Sequence, residues 1–310
     1  MAEGDGFRRE RGIIQKAKIS LFADTRAEIM RILQLGHAEI LARIAQLGES
    51  DFELMTQLTA LQQAIEDVMA QITDQSNGII TPAMANSFDL GVSMVDDPLR
   101  AEGISLAGLA PSLDLRQLDA MVNFSTNRIR GANSDTVNRI NQQLGLAMLG
   151  TQTISQATDE ISNILTGARS RILGIVRTEM GTAYSSATQG RMEQAKEFVP
   201  ALQKQWRRSG KVHSRTNHDA VDGQVRNVED DYNIVEMKTK RTISIRFPRD
   251  PRAPIGERIN CGCDSLPYNE AWEVRNKGHK PFTQRELEGD SPSAEGRRKL
   301  AAGQSIREII

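Results

Sequence analysis

The chain is poor in cysteine, histidine and aromatic side chains: its 310 residues hold two Cys, four His and two Trp, and Phe, Trp and Tyr together make up 4%. Two cysteines exclude a disulfide-stapled secreted scaffold. No stretch approaches the roughly 18 consecutive apolar residues of a membrane span, so no membrane partner is expected. Met1 to Arg11 carries charges of both signs without the apolar core of a secretory signal, and the expectation is a soluble protein made in a reducing cytoplasm. Neither sign of charge is in excess, with 39 basic and 40 acidic residues, so the chain as a whole is not a polyanion binder.

What is plentiful is Ala, Leu, Ile, Gln, Arg and Glu, a composition that leans towards helix, in a length that fits one large or two medium domains. Leu54, Leu58, Leu61, Ile65, Val68 and Ile72 alternate fours and threes and form one apolar seam. Ile29, Leu33, Ile40, Ile44 and Leu47 give a looser version before it. Gly48 to Asp51 separates the two, and Ser50 followed by Glu53 reads as a capping box. These signals predict an antiparallel helical hairpin from about Asp24 to Asp74, with its seam closed within the monomer rather than between chains. Gln75 to Gly78, Asp96-Asp97-Pro98 and Ala110-Pro111-Ser112 read as breaks. Helices are then expected over Asp114–Arg130 with Leu115, Leu118, Met121 and Val122 on one face, over Ser134–Leu149 with Ser134 as cap, and over Thr153–Leu165 with Gly167 as stop. A further helix is expected over about Ala168–Phe198, ended by Pro200.

After Pro200 the pattern changes. Ser209-Gly210 and Asp222-Gly223 mark turns, and Thr242 to Phe247 alternates polar and apolar as a half-buried strand does. Pro248, Pro251 and Pro254 impose an extended loop leading to the cysteines. The fold class expected is α+β and predominantly helical. A helical region over 1–150 precedes a small loop-rich domain with a few short strands over 151–275, and a charged tail with little to bury follows over 276–310.

The two cysteines, Cys261 and Cys263, stand one residue apart, and a Cys-x-Cys pair closes too small a ring for a relaxed disulfide. The alternatives are metal ligation or burial. His213, His218, Cys261 and Cys263 make four possible ligands for a tetrahedral zinc, although their spacing is not that of a standard finger. Without zinc, the two thiols would be buried with His218 hydrogen-bonded nearby. A Cys-His hydrolase can also be drawn, with Cys261 as nucleophile, His218 with Asp219 or Asp222, or Glu179 as base. No nucleophile elbow, phosphate loop or zincin helix accompanies it. Arg177 and Glu179 are expected to pair with polar groups of the small domain, Trp206 to anchor a core, His37 to be partly buried and His279 to be solvated. Lys204, Arg207, Arg208, Lys211, Arg215 and Arg226, followed by Lys238, Lys240, Arg241, Arg246, Arg249 and Arg252, form a moderately basic segment opposed by Glu229, Asp230, Asp231 and Glu236. It reads equally as a salt-bridged surface or as a site of non-specific contact with DNA phosphates.

Taken in order, Arg177-Thr178-Glu179, Trp206, Arg215 with His218, Asp222-Gly223-Gln224, Pro248-Arg249-Asp250-Pro251 and Asn260-Cys261-Gly262-Cys263 resemble the Mu F-like minor head proteins of tailed bacteriophages. The resemblance covers about Thr153 to Pro267. It implies a non-enzymatic head-morphogenesis protein of the virion, present in few copies inside the head or at the portal vertex. Portal protein or capsid protein would be its partners, with packaged DNA nearby. The N-terminal helices are expected as the docking face, because long exposed helices offer ridge-and-groove surfaces. The family also implies a Cys-x-x-Cys where this chain has Arg215 and His218, and a His shortly before the Cys-x-Cys where it has Gly256 to Ile259, so one ligand position is replaced. The same family module can precede toxin domains, which leaves a carrier or effector delivered with DNA as an alternative. The 47 residues after the Cys-x-Cys are fewer than a separate catalytic domain is expected to need.

Overall fold

In the computed structural model, which describes residues 5–46, 51–272 and 274–310 and side chains outside 51–56, the apolar seam becomes the buried face of a long helix. The order is α1 (Asp5–Ile44), α2 (Asp51–Ala101), α3 (Leu115–Met148), α4 (Ile154–Lys196), β1 (Gln203–Arg207), α5 (Thr216–Ala220), β2 (Val225–Asn227), β3 (Tyr232–Val235), β4 (Thr242–Ile245), α6 (Ile255–Arg258), β5 (Asp264–Tyr268), α7 (Gln284–Leu287), α8 (Pro292–Ala301) and α9 (Ile306–Ile309). The fold is α+β and mostly helical. Two compact units divide the chain discontinuously rather than at residue 150. One comprises residues 21–83 and 119–179, the other 1–20, 84–118 and 180–310, so all four long helices contribute to both.

In the all-helical unit, Leu58, Leu61, Ile65, Val68 and Ile72 of α2 are buried, as are Ile29, Leu33, Ile40 and Ile44 of α1. The helices approach closely at Gly36, where an added Cβ would lie 2.4 Å from Ile72 Cδ1. The expected linker and the capping residue Ser50, like Leu47, lie outside the described residues, as do the side chains of Glu53 and Leu54.

Four expected interruptions are absent. The helix α2 runs through Gln75 to Gly78 because the seam continues past it: Ser76 and Ile80 are fully buried, and the exposed Gly78 costs only about 1 kcal/mol against Ala. It also runs through Asp96-Asp97-Pro98, where Asp96 takes a two-pronged ion pair from Arg191 at 2.6 and 2.9 Å and Leu99 is fully buried. Ser134 lies exposed inside α3 and caps nothing. The buried face of α3 is Ser125, Ile129, Ala132, Asn133, Thr136, Ile140 and Leu144, whereas Leu115 is 59% exposed. Gly167 is likewise an exposed position inside α4, and Ile164, Leu165, Ala168 and Ile172 carry the apolar face across it. Local helix-breaking preferences of this size are weak against a continuous buried face. The break at Ala110-Pro111-Ser112 is present, and Thr153 opens α4 with a reciprocal cap to Gln156.

In the second unit, α4 from Met180 to Gln189 is buried on every side. Gly91 lets α2 touch it, since a Cβ there would come within 2.4 Å of the Tyr184 carbonyl. A three-stranded antiparallel sheet of order β2–β1–β5 follows, with Gln205 opposite both Val225 and Leu266, and β3–β4 forms a separate hairpin. One apolar cluster joins Phe7, Leu99, Met192, Tyr268 and Trp272, and another joins Trp206, Tyr232, Ile234 and Ile245 to both cysteines. The expected charged tail is instead packed: Arg297 of α8 is completely buried and Glu286 of α7 nearly so.

Candidate metal centre and its charged frame

The short helix α5 turns His218 inward, and the residues before β5 bring the cysteines to it. His218 Nδ1 lies 3.5 Å from Cys261 Sγ and 3.8 Å from Cys263 Sγ, with all three residues at most 3% exposed. One ligand atom from each falls within 4.8 Å of the others, the only such group of three or more His, Cys, Asp or Glu among the described residues. Two thiols and an imidazole nitrogen are a soft donor set of the kind that suits zinc. Gly262 is required between them, because a Cβ would meet Lys211 Cε at 2.7 Å and Ser209 Cβ at 2.9 Å. His213, expected as a fourth ligand, is exposed and lies outside this group: the Ser209–Arg215 loop carries it past the cluster before α5 begins.

Electrostatics tie the three groups together. Cys261 is held well below the usual thiol value by its hydrogen bond with Cys263 and by His218, whereas that same bond and burial push Cys263 up. Burial opposes charge on His218, but Cys261 and Glu257 outweigh it and raise the imidazole to about 9. Glu257, for which the sequence offered no signal beyond one acidic residue among 40, lies 2.8 Å from His218 Nε2 and is 4% exposed. Its own carboxyl is lowered; burial resists this, and His218, Asn217 and the Met237 N–H overcome it.

Around the cluster, the motif residues form a frame. Trp206 is completely buried and stands edge-on to His218 and Tyr232, with centroids at 5.5 and 5.1 Å. Asp222 accepts from the Arg208 N–H at 2.8 Å and the Lys280 N–H at 2.6 Å. Gly223, at φ +84°, passes so close to Gly278 that a Cβ would lie 2.4 Å from its carbonyl carbon. Arg249, in the left-handed region at φ +72°, donates to the Cys261 carbonyl at 2.9 Å, to Ser185 Oγ at 2.6 Å and to Asp264 at 3.3 Å. Asp250 accepts from the Arg246 and Arg252 backbones at 3.0 and 2.9 Å, and Arg215 donates to the Ile259 carbonyl at 2.6 Å.

Glu179 is buried and pairs with Arg128 of α3, and Arg177 is exposed. The tail adds what the motif lacks. Arg297 donates to Asp219 Oδ2 and to the Val212 carbonyl, each at 2.8 Å, and Arg208 pairs with Glu286. Of the basic segment, Lys204, Arg208 and Arg249 are buried and cannot meet phosphates. Lys238, Lys240 and Arg241 remain exposed on the turn between β3 and β4.

No family model matches the chain, and no solved structure matches it. Among curated proteins, it is similar to the uncharacterized protein YqbB of Bacillus subtilis (strain 168), 33% identical over 90 residues, which is 28% of this chain and 28% of that protein. The match thus spans less than a third of the relative's length. No described helix is long and apolar enough to cross a membrane.

Proposed function

We propose that the chain is a minor head protein of a tailed bacteriophage, working through protein contacts at the portal vertex or inner capsid rather than through catalysis. One observation carries this reading. Trp206, His218, Arg249, Cys261 and Cys263, five of the residues behind the resemblance, belong to one compact unit and share hydrogen bonds, ring contacts or a common cluster, whereas Arg177 and Glu179 belong to the other unit. Co-expression with the portal and capsid proteins of the same phage tests it. Co-purification with either is expected, and failure with both sinks the reading. A carrier delivered with DNA would instead be recovered from the recipient cell after infection.

The same cluster is the proposed zinc site, with His218, Cys261 and Cys263 as protein ligands and a structural role for the ion. About one zinc per chain is expected by elemental analysis of the full-length protein. Chelation is expected to lower the melting temperature, and a zinc content far below one removes the ion. Proposed DNA contact is confined to the exposed turn cations Lys238, Lys240 and Arg241, and it should weaken steeply with added salt.

The order Cys261–His218–Glu257 has the separations of a nucleophile, base and orienting carboxylate, which favours a hydrolase as second reading. Cys261 is 3% exposed, so a substrate carbonyl cannot reach its sulfur in this conformation. Rapid alkylation of Cys261 by iodoacetamide in the native protein would revive the enzyme.

A further inference from the structure

The carboxylate of Glu257 meets three donors at once. His218 Nε2 lies 2.8 Å from Oε2, the Asn217 amide donates to Oε2 at 3.1 Å, and the Met237 N–H donates to Oε1 at 3.2 Å. A carboxylate that receives hydrogen bonds on both oxygens acts as acceptor only, so the shared proton resides on Nε2 of the imidazole. In the neutral ring that leaves the lone pair on Nδ1, the nitrogen facing both sulfurs. Asn217 holds the arrangement from two sides: its amide also reaches the Val235 carbonyl at 2.8 Å, and its Oδ1 accepts the His218 N–H at 2.9 Å.

We infer that Glu257 is a positioning residue, which fixes His218 as an Nδ1 ligand and so assigns the His218/Cys261/Cys263 cluster to a thiophilic divalent cation held through two sulfurs and Nδ1. This rests on the zinc reading above and adds the residue that sets its geometry. Glu257 touches no ligand position itself. It orients the ring and raises its basicity, the role that an outer carboxylate plays towards a metal-bound histidine.

The test uses the full-length protein stripped of metal and titrated with Co²⁺ in competition with a chelating indicator, the sulfur-to-cobalt charge-transfer absorption reporting site occupancy. Wild type should bind one Co²⁺, and Glu257→Gln should bind it about 10–100-fold more weakly. Equal affinities would overturn the role of Glu257 while leaving the metal site intact. No binding by wild type would overturn both. Because the variant can fail by misfolding, a second measurement uses wild type alone: histidine ¹⁵N correlation spectra of the Cd²⁺-loaded protein. Cadmium coupling at Nδ1 with a protonated Nε2 is expected, and coupling at Nε2 would overturn the assignment.

Discussion

The all-helical unit and the sheet-bearing end of the other unit are stabilised by different physics. In the first, Leu58, Ile65, Ile29, Leu33 and Ile40 are fully buried aliphatic residues at helical spacing, and burial of this kind is non-directional and tolerant of detail. Around the cysteines the buried residues include Arg208, Asp219, Asp222, Arg249, Glu257 and Arg297, each tied to partners by directed bonds. Removing one methylene from the first region is a graded loss. Removing one partner from the second leaves a charge in a low-dielectric interior.

The sharpest way to break that contrast is Arg297→Ala. It strips Asp219 of its ion pair and should cost about 3–5 kcal/mol. Hydrogen exchange should show protection lost over 203–268 and 284–301 but kept in the helices over 58–72; uniform loss would mean that the two regions unfold as one. Ile65→Ala, in the seam, should cost about 3 kcal/mol by chemical denaturation and leave the cysteine loop protected.

Acid separates the regions by a different route. Burial, aided by Arg169, lowers His37 to about 4 from 6.5. Below pH 6.5 the unfolded chain therefore takes up a proton that the folded helices refuse. That stability is complete above pH 6.5 and falls as pH drops towards 4, by about 2 kcal/mol once partial exposure is discounted. In His37→Leu the dependence in that window should vanish. Near the tail, burial resists ionisation of Glu286, but Arg208 and Thr283 hold it down to about 2. Its contribution survives to lower pH and is lost only between 4.5 and 2, so the helical unit should soften first in a pH series followed by hydrogen exchange. The smallest effect expected is a gain: Gly78→Ala has nothing within 4 Å of the new methyl and should stabilise α2 by up to about 1 kcal/mol in thermal melts.

Much of the helical unit was legible because periodicity is a local signal. Leu58 to Ile72 read correctly, and so did the alternating strand at Thr242 to Ile245. Gln75 to Gly78, Ser134 and Gly167 misled because breaker residues speak only for their own backbone, whereas the faces on either side of them are buried without interruption. The cysteines and His218 stood out by rarity and spacing. His213 was chosen for its nearness to His218 in sequence, but the intervening residues are a turn that leads away from the cluster. Glu257 and Arg297 were invisible for the opposite reason. They are common charged residues, and their importance comes from partners 39 and 78 positions away.

Asp219 and its partner Arg297 are separated by 78 positions. On a ribosome the order of events follows from that distance. The seam helices, complete by Ala101, can close while most of the chain is still unmade, since domains form N-terminal first during synthesis. The cysteine loop has no counter-charge for Asp219 until α8 has left the exit tunnel. The loop therefore closes only after the seam helices, once Arg297 has emerged to pair with Asp219 and to meet the Val212 carbonyl.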